Sequence, residues 1–145
     1  MKKIALVSAC LLGVPTRYDG TGKQNAEVLA LSKEYLLIPF CPEQLGGLST
    51  PRKPAEIVGE RVINVDGEDV TEFFVRGAQV SLQIAEKIGP NVVILKEGSP
   101  SCGVHFVYDG TFQGRKVEGQ GLTAKLLREK YPVLCENDLE KLEQV

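Results

Sequence analysis

The chain lacks most of the features that would assign a function at a glance. No two of its four cysteines form a CxxC pair, which excludes zinc-ribbon and thioredoxin patterns. There is one histidine, His105, so a cysteine–histidine nucleophile would depend on that residue alone. The formal charge is only −2, which removes any general pull toward nucleic acid or an anionic membrane. No apolar run reaches membrane-spanning length. The run behind Lys2 and Lys3 is broken by Ser8, Cys10 and the turn at Gly13-Val14-Pro15. That run also lacks a small-residue cleavage site, so a cytoplasmic protein with no membrane partner is expected. Internal repeats and low-complexity segments are absent.

What is present describes an ordinary globular chain. Its 145 residues, 43% hydrophobic and 25% charged, suit a single domain, 1–145, with a real core. Residues 3–9 read as a strand buried on both faces, since Ile4-Ala5-Leu6-Val7 is uniformly apolar. Similar runs predict strands at 36–40, 92–95 and 132–135. Helical spacing and caps predict helices over 25–33, 71–88 and 122–131, with a last one ending near Glu143. Prolines 42, 51 and 54 make residues 42–60 irregular, a binding loop in which Arg52 and Lys53 read as solvated. Asp66-Gly67 predicts the turn of a hairpin over 61–70, and Asp109-Gly110 another turn. The alternation predicts an α/β fold: three-layer, Rossmann-like and doubly wound, with a mainly parallel sheet of about four to five strands and a small β-hairpin insertion.

The cysteines then stand out by position. Four cysteines with no export signal argue against a disulfide framework. Cys135 fits a core or spare thiol. Cys10, Cys41 and Cys102 fit that bland role less well, because each follows an apolar run and sits beside glycine, proline or acidic residues. Ligands of open parallel sheets bind beyond the carboxyl ends of the strands, and all three fall on that edge. Three converging thiolates suit an iron–sulfur cluster, zinc or copper(I), and three ligands leave a position open. Asp19, Glu43 and Glu97 are acid–base candidates nearby, and Ser99 and Ser101 are hydrogen-bonding candidates beside Cys102. Gly119-Gln120-Gly121 reads as a helix N-terminal turn without a ligand.

The combination of motifs is more specific than any one of them. It comprises Ser8-Ala9-Cys10-Leu11-Leu12-Gly13 with Arg17-Tyr18-Asp19-Gly20, and Cys41-Pro42-Glu43 with Gly46-Gly47-Leu48 and Pro51-Arg52. It continues with Ser99-Pro100-Ser101-Cys102-Gly103, and with Tyr108-Asp109-Gly110 followed by Gly119-Gln120-Gly121-Leu122-Thr123-Ala124. Over nearly the whole chain this resembles the DUF523 family, which includes thiouracil desulfidases. The resemblance implies a 4Fe–4S cluster on Cys10, Cys41 and Cys102, with its fourth iron open to substrate sulfur. It places acid–base and positioning roles on Glu43 and Ser101, and Asp19 stays a candidate beside them. Thr16 stands where many members carry a further cysteine, so no fourth ligand comes from that loop. The implied reaction has the open iron polarise a thiocarbonyl, Glu43 direct a water to the carbon, and Ser101 hydrogen-bond the ring. The implied partner is a small thiolated heterocycle such as 2-thiouracil, with no nucleic acid expected. An aerobic preparation is expected to lose or replace such a cluster. Rival readings are a non-catalytic cluster-binding module acting as sensor or carrier, a cysteine hydrolase, and a desulfidase for thiolated tRNA. Glu43 and Ser101 separate an enzyme from the passive module, which needs no acid–base group.

Overall fold

The computed structural model describes residues 2–145. Strand β1 (Lys3–Ser8) passes through a 3-10 turn to helix α1 (Ala26–Ala30), strand β2 (Tyr35–Phe40) and short helix α2 (Pro42–Leu45). A hairpin of β3 (Ala55–Val58) and β4 (Arg61–Asn64) comes before the long helix α3 (Thr71–Ile88). Strand β5 (Val92–Leu95), a second hairpin of β6 (Phe106–Tyr108) and β7 (Lys116–Glu118), helix α4 (Leu122–Arg128) and strand β8 (Val133–Cys135) follow. A 3-10 segment, Leu139–Gln144, closes the chain.

The uniformly apolar runs become the central sheet, in the order β2-β1-β5-β8. Each of its pairings is parallel. Val92, Val93, Ile94 and Leu95 are all fully buried, as a strand covered on both faces must be. Pro39 sits in β2, where an edge position tolerates its missing N–H. Successive side chains serve two cores, as the pleat requires. Leu6, Val93 and Leu95 pack with Ala85 of α3 and with Ala124 and Leu127 of α4. Ala5, Val7 and Ile94 pack with Val28 of α1, and Leu139 and Leu142 pack against that cluster. The fold is therefore the expected three-layer α/β arrangement with a four-stranded parallel sheet, and it carries two small hairpins rather than one.

Some local expectations change. The stretch 42–60 is not wholly irregular: Pro42 takes the first helical position of α2, where a missing N–H is harmless. The first hairpin turns at Gly59-Glu60, pairing Val58 with Arg61. Asp66-Gly67 instead belongs to a tight loop built on Asn64, whose Oδ1 accepts the Asp66 and Glu68 amides at 3.0 Å. Thr71 does not cap α3. Its hydroxyl accepts the Val62 amide at 2.8 Å, and Asp69 Oδ1 accepts the Thr71 amide at 2.9 Å.

Two glycines seat α2. A Cβ on Gly46 would collide with the Phe73 carbonyl oxygen, and one on Gly77 with the Pro42 carbonyl oxygen. The backbones of α2 and α3 touch there, and this fixes Glu43 relative to the sheet. The glycine pair after Cys41 thus serves helix packing in its first member.

Candidate active site

Parallel pairing brings the chemistry to one edge. Ser8 lies beside Phe40 at the ends of β1 and β2, so the turn holding Cys10 and the junction holding Cys41 leave side by side. The Cys10 carbonyl accepts the Gly13 and Lys23 amides at 3.0 and 2.8 Å, which folds the following loop back over the edge. Cys102 arrives from the far side of β1, on the loop after β5. Ser99 holds that loop: its Oγ accepts the Ser101 amide at 3.2 Å and the Cys102 amide at 2.7 Å. All three cysteines are free thiols. They line one cavity of about 510 Å3, together with Glu43, Arg52 and Lys96.

The thiols sit in different environments. Burial pushes Cys10 up to about 11, with Lys96 pulling against it and the neighbouring Cys41 adding to the rise. Burial also pushes Cys102 well above a free thiol, the Glu43 charge adds to this, and Ser8 opposes it. The polarity of the Ser8 contact is set by the backbone. Ser8 Oγ accepts the Lys96 amide at 3.0 Å, so its proton is directed at Cys102 Sγ, 3.7 Å away. Cys41 donates to the Thr16 carbonyl at 3.9 Å.

Glu43 is the cavity carboxylate paired with an arginine; Glu97 also lines the cavity and is buried. Burial raises its pKa and the Arg52 guanidinium lowers it, with the rise prevailing. Arg52 Nε donates to Glu43 Oε1 at 3.1 Å, in a pair whose side chains are only 7% and 16% exposed. Arg52 Nη2 also donates to the Thr16 carbonyl at 2.9 Å and Nη1 to Thr50 Oγ1 at 2.9 Å. Its own amide donates to the Tyr18 carbonyl at 2.7 Å. One guanidinium therefore ties together the loops carrying Cys10, Cys41 and Glu43.

A family model for 2-thiouracil desulfurase matches residues 5–138. The chain belongs to the 2-thiouracil desulfurase family. The protein YbbK of Bacillus subtilis (strain 168) is 44% identical over 148 residues, spanning 94% of this chain and 98% of YbbK. The solved structure titled [4Fe-4S]-dependent thiouracil desulfidase TudS (DUF523Vcz) superposes with a TM-score of 0.89 at 46% identity. That match covers 99% of this chain and 97% of the other. The expected DUF523 membership is thereby established.

Within this desulfurase-family chain the remaining candidates separate. Asp19 lies in its turn, outside the cavity wall, with Oδ1 accepting the Thr21 amide at 3.1 Å and hydroxyl at 2.6 Å. Ser101, expected to face substrate, is 1% exposed, and its hydroxyl pairs with Thr123 Oγ1 at 2.8 Å inside the fold. Its carbonyl accepts the Thr123 amide at 2.9 Å, and Gly121 packs directly against its backbone. As placed, Ser101 anchors the start of α4 beneath Cys102. The Gly119-Gln120-Gly121 turn, in keeping with this, meets protein backbone. Glu97, read as an acid–base candidate, accepts the Val104 amide at 2.5 Å and the His105 amide at 3.0 Å, so it pins its own loop. Lys53 is exposed and pairs with Asp66 and Glu68.

Cys135 is buried in the core with α4, as expected. Among the described residues, Glu97, His105 and Cys135 are the trio whose donor atoms fall within 4.8 Å of one another. Those donors are already engaged, because Glu97 holds backbone amides and His105 Nε2 contacts Asp138 Oδ2 at 2.6 Å. Arg52 is the residue that sequence reasoning undervalued. The available signal was its bracket between Pro51 and Pro54, which holds a side chain in place better than a free loop does.

Proposed function

We propose that this chain is a desulfidase that removes sulfur from a small thiolated heterocycle such as 2-thiouracil, using a 4Fe–4S cluster held by Cys10, Cys41 and Cys102. The observation that carries the reading is the cavity itself, where three free thiols from three loops share a lining with an arginine-paired carboxylate, Glu43. The desulfurase family and the likeness to TudS, named a [4Fe-4S]-dependent thiouracil desulfidase, support the chemistry. The donor set supports the cofactor. Three soft thiol sulfurs lining one cavity are the ligand type that iron–sulfur clusters take, and three ligands would leave one iron open.

When bound, the cluster supplies one iron without a protein ligand, a Lewis acid for the thiocarbonyl sulfur. The protein's own groups do the rest. Arg52 engages Glu43 Oε1, which leaves Oε2 to hold a water against the carbon that carries the sulfur. Burial raises the proton affinity of Glu43 above that of a solvated carboxylate, so it takes the proton of that water more readily. Lys96, at the cavity wall and paired with Glu136 at 3.1 Å, offsets the negative charge of the thiolates. Ser8 donates to Cys102 and stabilises it as a thiolate. Ser101 can reach substrate only by releasing Thr123, and Asp19 takes no part. A passive cluster holder would have no use for a buried glutamate clamped by arginine.

In this reading residues 1–145 work as one domain, and the central sheet shared by both cores supports it. Among the described residues, no helix is long and apolar enough to cross a membrane. A cytoplasmic location belongs to the same proposal, since a reducing compartment would keep these thiols free.

The test is anaerobic reconstitution with iron and sulfide, followed by sulfide release from 2-thiouracil. Glu43→Ala should abolish release while the brown cluster chromophore persists. Full turnover by that variant would remove Glu43 from the mechanism, and no release by the wild type would remove the substrate.

A further inference from the structure

Residues of both hairpins line the cavity that holds the cysteines, and they include the one non-glycine residue held at positive φ among the described residues. Phe112 has φ 58°. A bulky side chain there is strained, and such strain persists only where the surroundings over-determine it, most often at binding sites. The surroundings here are specific. Glu56, on β3 of the other hairpin, presents Oε1 to two amides of the Phe112 loop, Gly110 at 2.9 Å and Phe112 itself at 3.1 Å. Gly110 sits close to β3, where a Cβ would come within 2.8 Å of the Ile57 carbonyl oxygen. The loop is closed at its base, where the Asp109 amide donates to the Arg115 carbonyl at 2.9 Å.

All this holds an aromatic ring that the core does not use. Phe112 belongs to neither buried cluster and is half-buried. It lines the same cavity as Cys10, Cys41 and Cys102, alongside the half-buried Tyr108.

We infer that Phe112 is a specificity-determining residue whose ring forms the stacking face for a planar heterocycle in the cavity, and that Glu56 is the residue that positions it. The inference deepens the desulfidase reading: that reading names the heterocycle, whereas the stacking face stands on the loop geometry. Every nucleobase has a flat π-face, and removing an aromatic partner weakens base binding by about 5- to 150-fold. The ring would thus select flat heterocycles by shape and leave the sulfur to the cysteines of the same cavity.

The experiment compares wild type with Phe112→Ala, Phe112→Gly, Phe112→Tyr and Glu56→Ala on reconstituted protein. Two readouts are taken, the kinetics with 2-thiouracil and calorimetric binding of uracil, which has no sulfur to lose. Phe112→Ala and Phe112→Gly should each raise KM and the uracil Kd within that 5- to 150-fold range, with kcat little changed. Phe112→Tyr should restore both, and Glu56→Ala should give an intermediate loss. Glycine relieves the backbone strain, so it separates the ring from the loop. If Phe112→Gly binds uracil as tightly as wild type, the inference is overturned and Phe112 is a loop residue only. Ring-dependent uracil binding without sulfide release would sink the desulfidase reading and leave the stacking face standing. Sulfide release with KM unchanged in both variants would do the reverse.

Discussion

Replacing Arg52 with alanine perturbs the cavity most sharply while leaving every cysteine in place. The substitution removes the partner of Glu43 from a pair that is 7% and 16% exposed. It also takes a donor from the Thr16 carbonyl, the oxygen that receives the Cys41 thiol. Breaking a buried ion pair from one side destabilises by about 3–5 kcal/mol, because a charge is left buried and unpaired. Glu43 can relieve part of this by binding a proton, so the lower end, about 3 kcal/mol, is expected near neutral pH. In urea, with a slope of about 2 kcal/mol per molar, the unfolding midpoint of the cluster-free protein would fall by about 1.5 M. The pH dependence has a definite sign. Burial already holds the Glu43 pKa above 4.5, and Arg52 opposes that rise, so its loss lifts the folded-state value further. A group raised in the folded state contributes fully below its unfolded value and loses that contribution as pH climbs through the folded one. The destabilisation by Arg52→Ala should therefore be smaller near pH 4 than near pH 8. The double variant with Glu43→Ala leaves no orphaned charge and should be less destabilised than the sum of the two. A loss under about 1 kcal/mol, or strict additivity, would mean that the pair behaves as a surface contact and that Arg52 does not organise the site.

Other parts of the structure give independent outcomes. Gly77→Ala should gain helix propensity yet lose about 1–3 kcal/mol overall in urea unfolding, because the new methyl meets the Pro42 carbonyl and α2 must move. That variant should also lose turnover, since Glu43 rides on α2. In cluster-free protein, Cys10 holds its proton up to about 11, so its alkylation by iodoacetamide should rise tenfold per pH unit past pH 9 and level only near that value. Peptide mass spectrometry reads this directly, and a plateau near pH 9 would show an unburied thiol. Ser8→Ala should cost about 1–3 kcal/mol in stability, because the Lys96 amide and the Cys102 sulfur each lose a partner at a buried position.

Much of this site could be read from the residues alone, for a physical reason. Val92-Val93-Ile94-Leu95 and Ile4-Ala5-Leu6-Val7 can be apolar throughout only if covered on both faces, which implies a parallel sheet between helical layers. In such a sheet all strands end at one edge, so Cys10 and Cys41 were legible as neighbours despite their separation. Glu43 followed because it lies two residues beyond Cys41. Side-chain direction was not legible. Ser101 sits next to Cys102 in the chain, but its hydroxyl turns to Thr123, a pairing visible only once α4 packs beneath the loop. Arg52 resembled a solvated residue because its partners, Glu43, Thr16 and Thr50, come from three different segments. The hairpin turns at Gly59-Glu60 and not at Asp66-Gly67, although Asp-Gly is the stronger local signal. The Asn64 side chain claims that segment for a separate tight loop.

The most direct test of the central claim is the iron content of anaerobically reconstituted protein across four single variants, Cys10→Ala, Cys41→Ala, Cys102→Ala and Cys135→Ala. The account predicts a full 4Fe–4S complement in wild type and in Cys135→Ala, and loss of the cluster in each of the other three. Retention of the cluster by any of those three, or its loss on replacing Cys135, would contradict it.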